Sequence, residues 1–254
     1  MKRLGLLALL VANSSAHALN PVQGLYGGII LGLNYTPNTS FVFPTTFVVP
    51  PHIPITKFPS NVIPANVDVS LDYGHLGQIG GQTGYRCGNY RIEAQLAYNY
   101  SPYSSLKINK VTLFAPSTSP YYKFKGATGT VSGMINGYYD LMPTDPQSNF
   151  APFVGLGVGY AYTQNTIDME FWYNKNPETG ATVPGYKVTN LNINETTTSL
   201  AGQAMIGASY FLDDLTAFSL DLRYFTTEKK SQVLNARVQV LTVNLTFNGA
   251  FNLG

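Results

Sequence analysis

The sequence has few charged residues, a single cysteine and no apolar run long enough to cross a membrane as a helix. Asp, Glu, Lys and Arg make up 11% of the 254 residues, against roughly 25% in a typical soluble domain. Cys87 stands alone, which excludes a disulfide within the chain; we expect a small buried residue, with an intermolecular disulfide as the alternative. This composition favours a membrane β-barrel over a soluble domain or a bundle of membrane helices.

The first 18 residues are predicted to be an export signal. Lys2 and Arg3 give a basic start, residues 4–12 form an apolar core, and Ala16-His17-Ala18 is a small-x-small cleavage site. The apolar core is too short to span a bilayer. We therefore expect one mature domain at residues 19–254.

Charge is balanced once that signal is set aside, with 13 basic and 13 acidic residues remaining. A formal charge of zero argues against nucleic acid or another polyanion as a partner. The sequence contains no metal-ligand spacing and no phosphate-binding glycine loop, so neither a metal nor another cofactor is predicted.

Alternation of apolar and polar residues is the main feature that the sequence does contain, and it is the period of a β-strand with two different faces. In residues 90–100, apolar Ile92, Ala94, Leu96, Tyr98 and Tyr100 alternate with Arg91, Glu93, Gln95, Ala97 and Asn99. The same period recurs in residues 24–35, 67–85, 130–141, 152–162, 197–211, 218–226 and 241–247. The sequence therefore predicts about eight strands.

Long and short connections alternate between these strands. Loops are predicted at about 37–66, 101–124, 164–195 and 227–234, and the first contains seven prolines, which exclude a central strand. Membrane barrels have short turns on one side and long loops on the other, and tyrosines near strand ends suit their aromatic girdles. The predicted fold class is all-β, an eight-stranded antiparallel transmembrane up-and-down β-barrel.

Three segments resemble the small eight-stranded outer-membrane barrels of Gram-negative bacteria, of the OmpA-transmembrane and opacity or surface-antigen type. They are GLYGGIILGLNY at residues 24–35, APFVGLGVGYAY at 151–162 and the final strand ending at Phe247. The resemblance implies a bacterial outer-membrane location with extracellular loops and periplasmic termini. It also implies an assembly signal, read by the barrel-assembly machinery, at Leu241, Val243, Leu245 and Phe247, with Phe251 as a second candidate for the terminal aromatic residue.

Five charged residues on the polar face of the strands are predicted to form a network inside the barrel: Arg91, Glu93, Asp140, Asp221 and Arg223. An eight-stranded barrel is just wide enough for its own side chains, and buried charges must pair. A packed lumen is the main interpretation, and an ion-conducting path is the alternative. The glycines in residues 155–159 are interpreted as packing space.

Catalysis is not predicted. His52 and His75 are the histidines that remain after the signal, and neither lies in a segment resembling the sites of outer-membrane acylases, deacylases or proteases. Asp213 and Asp214 occupy a tight turn, where we expect them to shape the turn.

The predicted function is that of a non-enzymatic surface protein with a structural, adhesive or antigenic role. A small pore or hydrophobic-solute channel is the alternative, and a soluble exported lipocalin-like barrel is a third. Expected partners are outer-membrane lipid, lipopolysaccharide and the barrel-assembly machinery, with a host surface or a peptidoglycan-associated protein as further candidates. The apolar residues of the first loop, such as Phe41 and Phe58, either fold over the barrel mouth or contact such a partner.

Arg237 raises a separate question about the last strand, because it shares the outward parity of Leu241 and Phe247. An unbroken strand would place Arg237 at the extracellular rim, where a charge costs little. A β-bulge near Gln239 would instead turn it into the lumen. We favour the rim.

Overall fold

The computed structural model describes residues 23–43, 47–48, 62–63, 67–75, 77–108, 111–115, 122–142, 148–171, 189–231, 234 and 236–251. The predicted signal, His52, Phe58 and most of the first loop lie outside these residues. The strands are β1 Gly24–Tyr35, β2 Thr39–Phe43, β3 Phe47–Val48, β4 Val62–Ile63, β5 Val67–Tyr73, β6 Gly77–Cys87, β7 Tyr90–Ile108, β8 Val111–Phe114, β9 Tyr122–Asp140, β10 Phe150–Phe171, β11 Thr189–Phe211, β12 Thr216–Lys230 and β13 Arg237–Ala250. No helix in this part of the chain is both long enough and apolar enough to cross a membrane.

Eight of these strands form a closed antiparallel ring in the order β1, β6, β7, β9, β10, β11, β12, β13. Strand β13 returns to β1 and pairs with it from Tyr26–Ala250 to Tyr35–Leu241. The predicted eight-stranded barrel is therefore confirmed.

The two ends of the barrel differ in their connections. One end, which we call the turn end, carries the connections at residues 88–89, 141–149 and 212–215, and β1 begins and β13 ends there. Gly88 has φ +58°, a left-handed conformation that glycine adopts without strain. Asp213 shapes its turn as predicted, because its Oδ1 accepts hydrogen bonds from the backbone N–H groups of Leu215 (2.9 Å) and Thr216 (2.6 Å). The opposite end is the loop end.

The outer wall of the barrel is apolar and is bordered by aromatic residues on both sides. The exposed aromatics near the turn end are Tyr85, Tyr90, Tyr139, Phe150, Phe218 and Phe247, and those toward the loop end are Tyr35, Tyr98, Tyr100, Tyr160, Tyr162 and Tyr224. Between them the wall exposes aliphatic residues such as Leu33 (75%) and Leu156 (72%). Ten residues separate Phe150 from Tyr160, and a strand tilted by roughly 40° covers about 25 Å in that length, the height of a lipid-facing band.

Beyond that band the strands continue into an extramembrane extension with its own apolar core. Strands β5 and β8 pair with the loop-end part of β7, and β2 pairs with β5. The core of the extension consists of buried side chains from these strands, from β9 and β10, and from Leu234. They are Phe41, Val69, Leu71, Tyr103, Leu106, Ile108, Leu113, Phe124, Ile167, Met169 and Leu234. The alternation is thus reversed: apolar residues face outward in the wall and inward in the extension.

This reversal corrects several sequence predictions. All four predicted loop ranges contain strand residues, because these strands face water on the outside and a small core on the inside and so lack lipid-facing alternation. Residues 67–85 do not form one strand: Val69 and Leu71 of β5 belong to the extension core, and β6 begins at Gly77.

Two further predictions concern single residues. Cys87 is exposed, not buried, because it shares the outward parity of Tyr85 at the end of β6. Arg237 is exposed at the loop end, in agreement with the rim position that we favoured, while Val238 and Val240 turn inward. A register shift does lie next to Gln239, between the pair Thr226–Gln239 and the pair Lys230–Arg237, but its extra residues are on β12 and Arg237 still faces outward.

Candidate functional site

The lumen holds many buried polar side chains, and Arg91 of β7 is the centre of its turn-end layer. Its Nη1 donates to Glu93 Oε1 at 2.9 Å, and its Nε donates to Asp140 Oδ1 at 3.0 Å. Arg91, Glu93 and Asp140 are all buried. The guanidinium also lies 4.5 Å from the ring centre of Tyr138 and 5.0 Å from that of Phe153.

Two more side chains complete the turn-end layer. Arg86 Nη2 lies 3.5 Å from Asp140 Oδ2, and its guanidinium lies 5.1 Å from the Phe211 ring. The Tyr26 hydroxyl donates a short hydrogen bond to Glu93 Oε1. Two guanidinium groups therefore face two carboxylates, which balances the formal charge where burial makes an unpaired charge costly.

A second polar layer lies farther along the lumen and is centred on Gln95. Its Oε1 accepts hydrogen bonds from Arg223 Nη1 (2.6 Å), Asn136 Nδ2 (2.9 Å) and Gln203 Nε2 (3.0 Å). Arg223 Nε also lies 3.3 Å from Asp221 Oδ1, which accepts a further bond from Asn244 Nδ2 at 2.9 Å. This middle layer links five of the eight wall strands with side-chain contacts.

Glycines make room for these layers. A Cβ on Gly157 would collide with the Asn136 amide, and one on Gly155 would collide with the Tyr138 ring. Gly28 and Gly32 of β1 leave the same kind of space for Asn248 and Asn244. The interpretation of the glycines in β10 as packing space is therefore confirmed.

Above the middle layer the lumen contains an apolar cluster and then a cavity. Met134, Ala161, Ala201 and Phe225 form a buried apolar cluster. Toward the loop end follows a cavity of about 330 Å³, which we call the loop-end cavity; it is lined by residues 36–40, by residues 236–240 and by inward side chains of β7, β9 and β10.

The structure places all five sequence-predicted lumen residues inside the barrel, but in two layers. Arg91, Glu93 and Asp140 belong to the turn-end layer, whereas Asp221 and Arg223 belong to the middle layer. The predicted network omitted Arg86 and the neutral residues Tyr26, Gln95, Asn136, Gln203 and Asn244. The sequence does indicate that these residues face inward, because each alternates with lipid-facing residues on its strand, as Gln95 does with Leu96.

The residues of the predicted assembly signal lie on the outer face of β13. Leu241, Val243, Leu245 and Phe247 are exposed to the surroundings of the barrel. Phe247 contacts Phe218, with ring centres 5.1 Å apart. Phe251 is also exposed, and its backbone N–H donates to Leu25 O at 2.8 Å.

In the extension, Asp72 of β5 is held by two partners on β7. Its Oδ2 accepts a hydrogen bond from Ser105 Oγ at 2.6 Å and lies 2.6 Å from Lys107 Nζ. Burial raises the pKa of the Asp72 carboxyl, but the contacts with Lys107 and Ser105 together outweigh it and hold that pKa below its ordinary value. This pair therefore ties β5 to β7.

Comparison with known proteins identifies the family. The sequence profile of the family described as "Outer membrane protein beta-barrel domain" matches residues 4–248. The chain belongs to this family. Membership implies the bacterial outer membrane as its location. Comparison with curated protein sequences gave no match.

Solved structures of low sequence identity are similar over most of their length. The outer membrane protein OprG from Pseudomonas aeruginosa is 12% identical, with a TM-score of 0.48 over 92% of this chain and 100% of that one. Neisserial surface protein A is 13% identical, with a TM-score of 0.42 over 90% and 97%. Ail, the attachment invasion locus protein of Yersinia pestis, is 8% identical, with a TM-score of 0.37 over 89% and 99%.

Proposed function

We propose that this member of the family is a non-conducting, non-enzymatic surface protein with a structural, adhesive or antigenic role. The observation that carries the proposal is the closure of the lumen by two successive polar layers centred on Arg91 and Gln95. The interior of an eight-stranded barrel is just wide enough for its own side chains, so side chains bonded across the lumen argue against a continuous water path. The extension would then be the part of the molecule that carries this surface role.

The orientation belongs to the same proposal. With the loop end outside the cell, the extension projects from the membrane on a core of its own. The partners that we propose are lipid and lipopolysaccharide around the apolar wall, the barrel-assembly machinery at β13, and a host surface or a peptidoglycan-associated protein. The absence of enzymatic activity is supported by the burial of Glu93 and Asp140 and by their ion pairs with Arg91, because a general base must be within hydrogen-bond reach of the proton that it abstracts.

Single-channel recording in planar bilayers tests the sealed lumen. Purified protein, shown to be folded by its gel shift on boiling, is expected to give no steady conductance. Discrete, reproducible steps from that preparation would contradict the proposal and favour a small pore. The gel shift serves as the control, because it separates a sealed barrel from protein that is not folded.

A hydrophobic-solute channel remains the second candidate because of the loop-end cavity. The last pair of β1 with β13 toward the loop end is Tyr35 with Leu241. Residues 36–40 and 237–240, which line the cavity, lie beyond that pair. Faster entry of an alkane into proteoliposomes than into empty liposomes would support this candidate. An equal rate in both would contradict it.

A further inference from the structure

The loop-end cavity has the size of a small ligand site. Its volume of about 330 Å³ is at the lower end of the range for ligand pockets. It lies between the polar lumen and the apolar core of the extension, so a bound molecule would be partly shielded from water. None of its lining residues belongs to the turn-end or middle layer.

One part of the lining offers hydrogen bonds. Asn99 of β7 is 5% exposed, and among the described residues its Oδ1 has no hydrogen-bond partner. A buried acceptor without a partner is costly, so this atom favours an occupant that donates hydrogen bonds. Ser101 and Thr130 add hydroxyl groups beside it, bonded to Thr36 at 2.9 Å and to Thr163 at 3.1 Å respectively.

The other part of the lining is apolar and uncharged. Leu234 and Val240 are each 3% exposed and contribute aliphatic surface. Among the described lining residues there is no carboxylate, and the cation, Arg237, lies at the exposed rim. A charged ligand would have no opposite charge inside the cavity, which argues for a neutral one.

These features together describe a compact, uncharged molecule with several hydroxyl groups and an apolar face. A sugar ring has this chemistry, because its hydroxyls project from the edge and its C–H groups form a face. We propose that the loop-end cavity binds one uncharged hexopyranose unit, with Asn99 as a hydrogen-bonding residue. The site is independent of whether the lumen conducts and of which end faces outward.

Ligand-observed NMR on the full chain tests this proposal. The protein is held in dodecyldimethylamine oxide micelles, since a detergent with a sugar headgroup would compete. The probes are the methyl glycosides of glucose, galactose, mannose and N-acetylglucosamine. Millimolar binding of at least one is expected. Binding of none would overturn the proposal and leave water as the occupant of the cavity.

Matched variants locate the site. Asn99→Leu should weaken binding of the probe by about tenfold, which corresponds to the loss of one or two hydrogen bonds. Asn248→Leu makes the same chemical change at the turn end, away from the cavity, and should leave the affinity unchanged. Ser101→Ala is a gentler second variant for the case in which Asn99→Leu does not fold. Equal affinity in all folded variants would overturn the assignment.

A competition experiment distinguishes a free sugar from one carried on a lipid. Lipopolysaccharide added to the complex with the methyl glycoside should displace it if the natural sugar is lipid-borne. Retention of the methyl glycoside indicates a free sugar. Conductance measurements do not enter either experiment, so failure of this inference is distinct from failure of the sealed-lumen proposal.

Discussion

Arg91 is the side chain on which the turn-end layer depends, because it contacts both Glu93 and Asp140. Arg91→Met would leave these carboxylates short of a counter-charge in a buried site. We expect a loss of about 3–5 kcal/mol in the free energy of unfolding, the cost typical of breaking a buried ion pair. Urea titration in micelles, followed by the gel shift of the folded barrel, measures this change.

Two further variants show whether the loss of stability comes from the burial of the ion pair or from the loss of a charge alone. Lys125→Met removes an exposed partner of Asp168, 3.1 Å away, and should cost less than about 1 kcal/mol. Glu93→Gln added to Arg91→Met should restore part of the lost stability, because it removes one of the unpaired charges. An Arg91→Met protein as stable as Lys125→Met would contradict this account of the layer.

Gly157 supplies the space that the middle layer needs. Gly157→Ala places a Cβ against the amide of Asn136 and the side chain of Gln203. We expect a loss of about 1–3 kcal/mol from overpacking. The fraction of protein that migrates as a folded barrel after refolding provides the measurement.

Gly133 is the matched control for that substitution, since a Cβ there would meet no atom within 4 Å. Gly133→Ala should refold like the parent protein. If both alanine variants refold equally well, the glycines in β10 are not required for packing.

Parity allowed the charged lumen residues to be predicted, but not their arrangement. Arg91 and Glu93 alternate with Ile92 on one strand, so the sequence itself indicates that they face inward. The shear between strands decides which side chains share a layer, and single-strand periodicity carries no information about it. Arg86 was missed for a different reason: beside Cys87 and Gly88 it resembles part of a turn.

At the scale of elements, the pairing of β5 with β7 is expected to depend on pH. The pKa of Asp72 is lower in the folded protein than in the unfolded chain. Its contribution is therefore complete above the unfolded value of about 4 and is lost as the pH falls through the folded value. Hydrogen–deuterium exchange of residues 67–75, corrected for intrinsic rates, should show less protection at acidic pH than at neutral pH.

Two substitutions on the same strand check this dependence. Asp72→Asn should give protection that changes little with pH. Asp68→Asn alters an exposed carboxyl on the same strand and should behave as the parent protein does. An equal pH response in all three proteins would exclude Asp72 as its source.

Several strands are longer than the sequence predicted, because they continue into the extension. Ile167 and Met169 continue the alternation of β10 past Tyr162, but with the apolar residues on the opposite parity. A search for lipid-facing alternation stops at that switch, although the backbone remains in the same strand. Recognising the switch requires knowing that β5 and β8 cover the inner face, which is a tertiary contact.

At the scale of the whole molecule, Cys87 is a natural reporter of orientation, because it is exposed at the turn end. If that end is periplasmic, a membrane-impermeant maleimide should not label Cys87 in intact cells. Glu228 is exposed at the loop end, and Glu228→Cys combined with Cys87→Ser should be labelled. The extent of labelling is read from the mass of the purified protein.

Permeabilised cells supply the control, in which both proteins should be labelled. Labelling of Cys87 in intact cells, with protection at position 228, would reverse the proposed orientation. Protection of both positions in intact cells would contradict the exposure of the loop end.

Closure of the ring by β1 and β13 has a consequence for folding kinetics. Every other pairing in the wall joins two wall strands that follow one another along the chain, whereas this pairing joins the first wall strand to the last. Closing such a long loop has a high entropic cost, so we infer that it is the slow, late step. Until then both terminal strands present open edges that can pair with other chains. A substitution that weakens β13 should therefore produce aggregates of open sheets, and not a barrel with fewer strands.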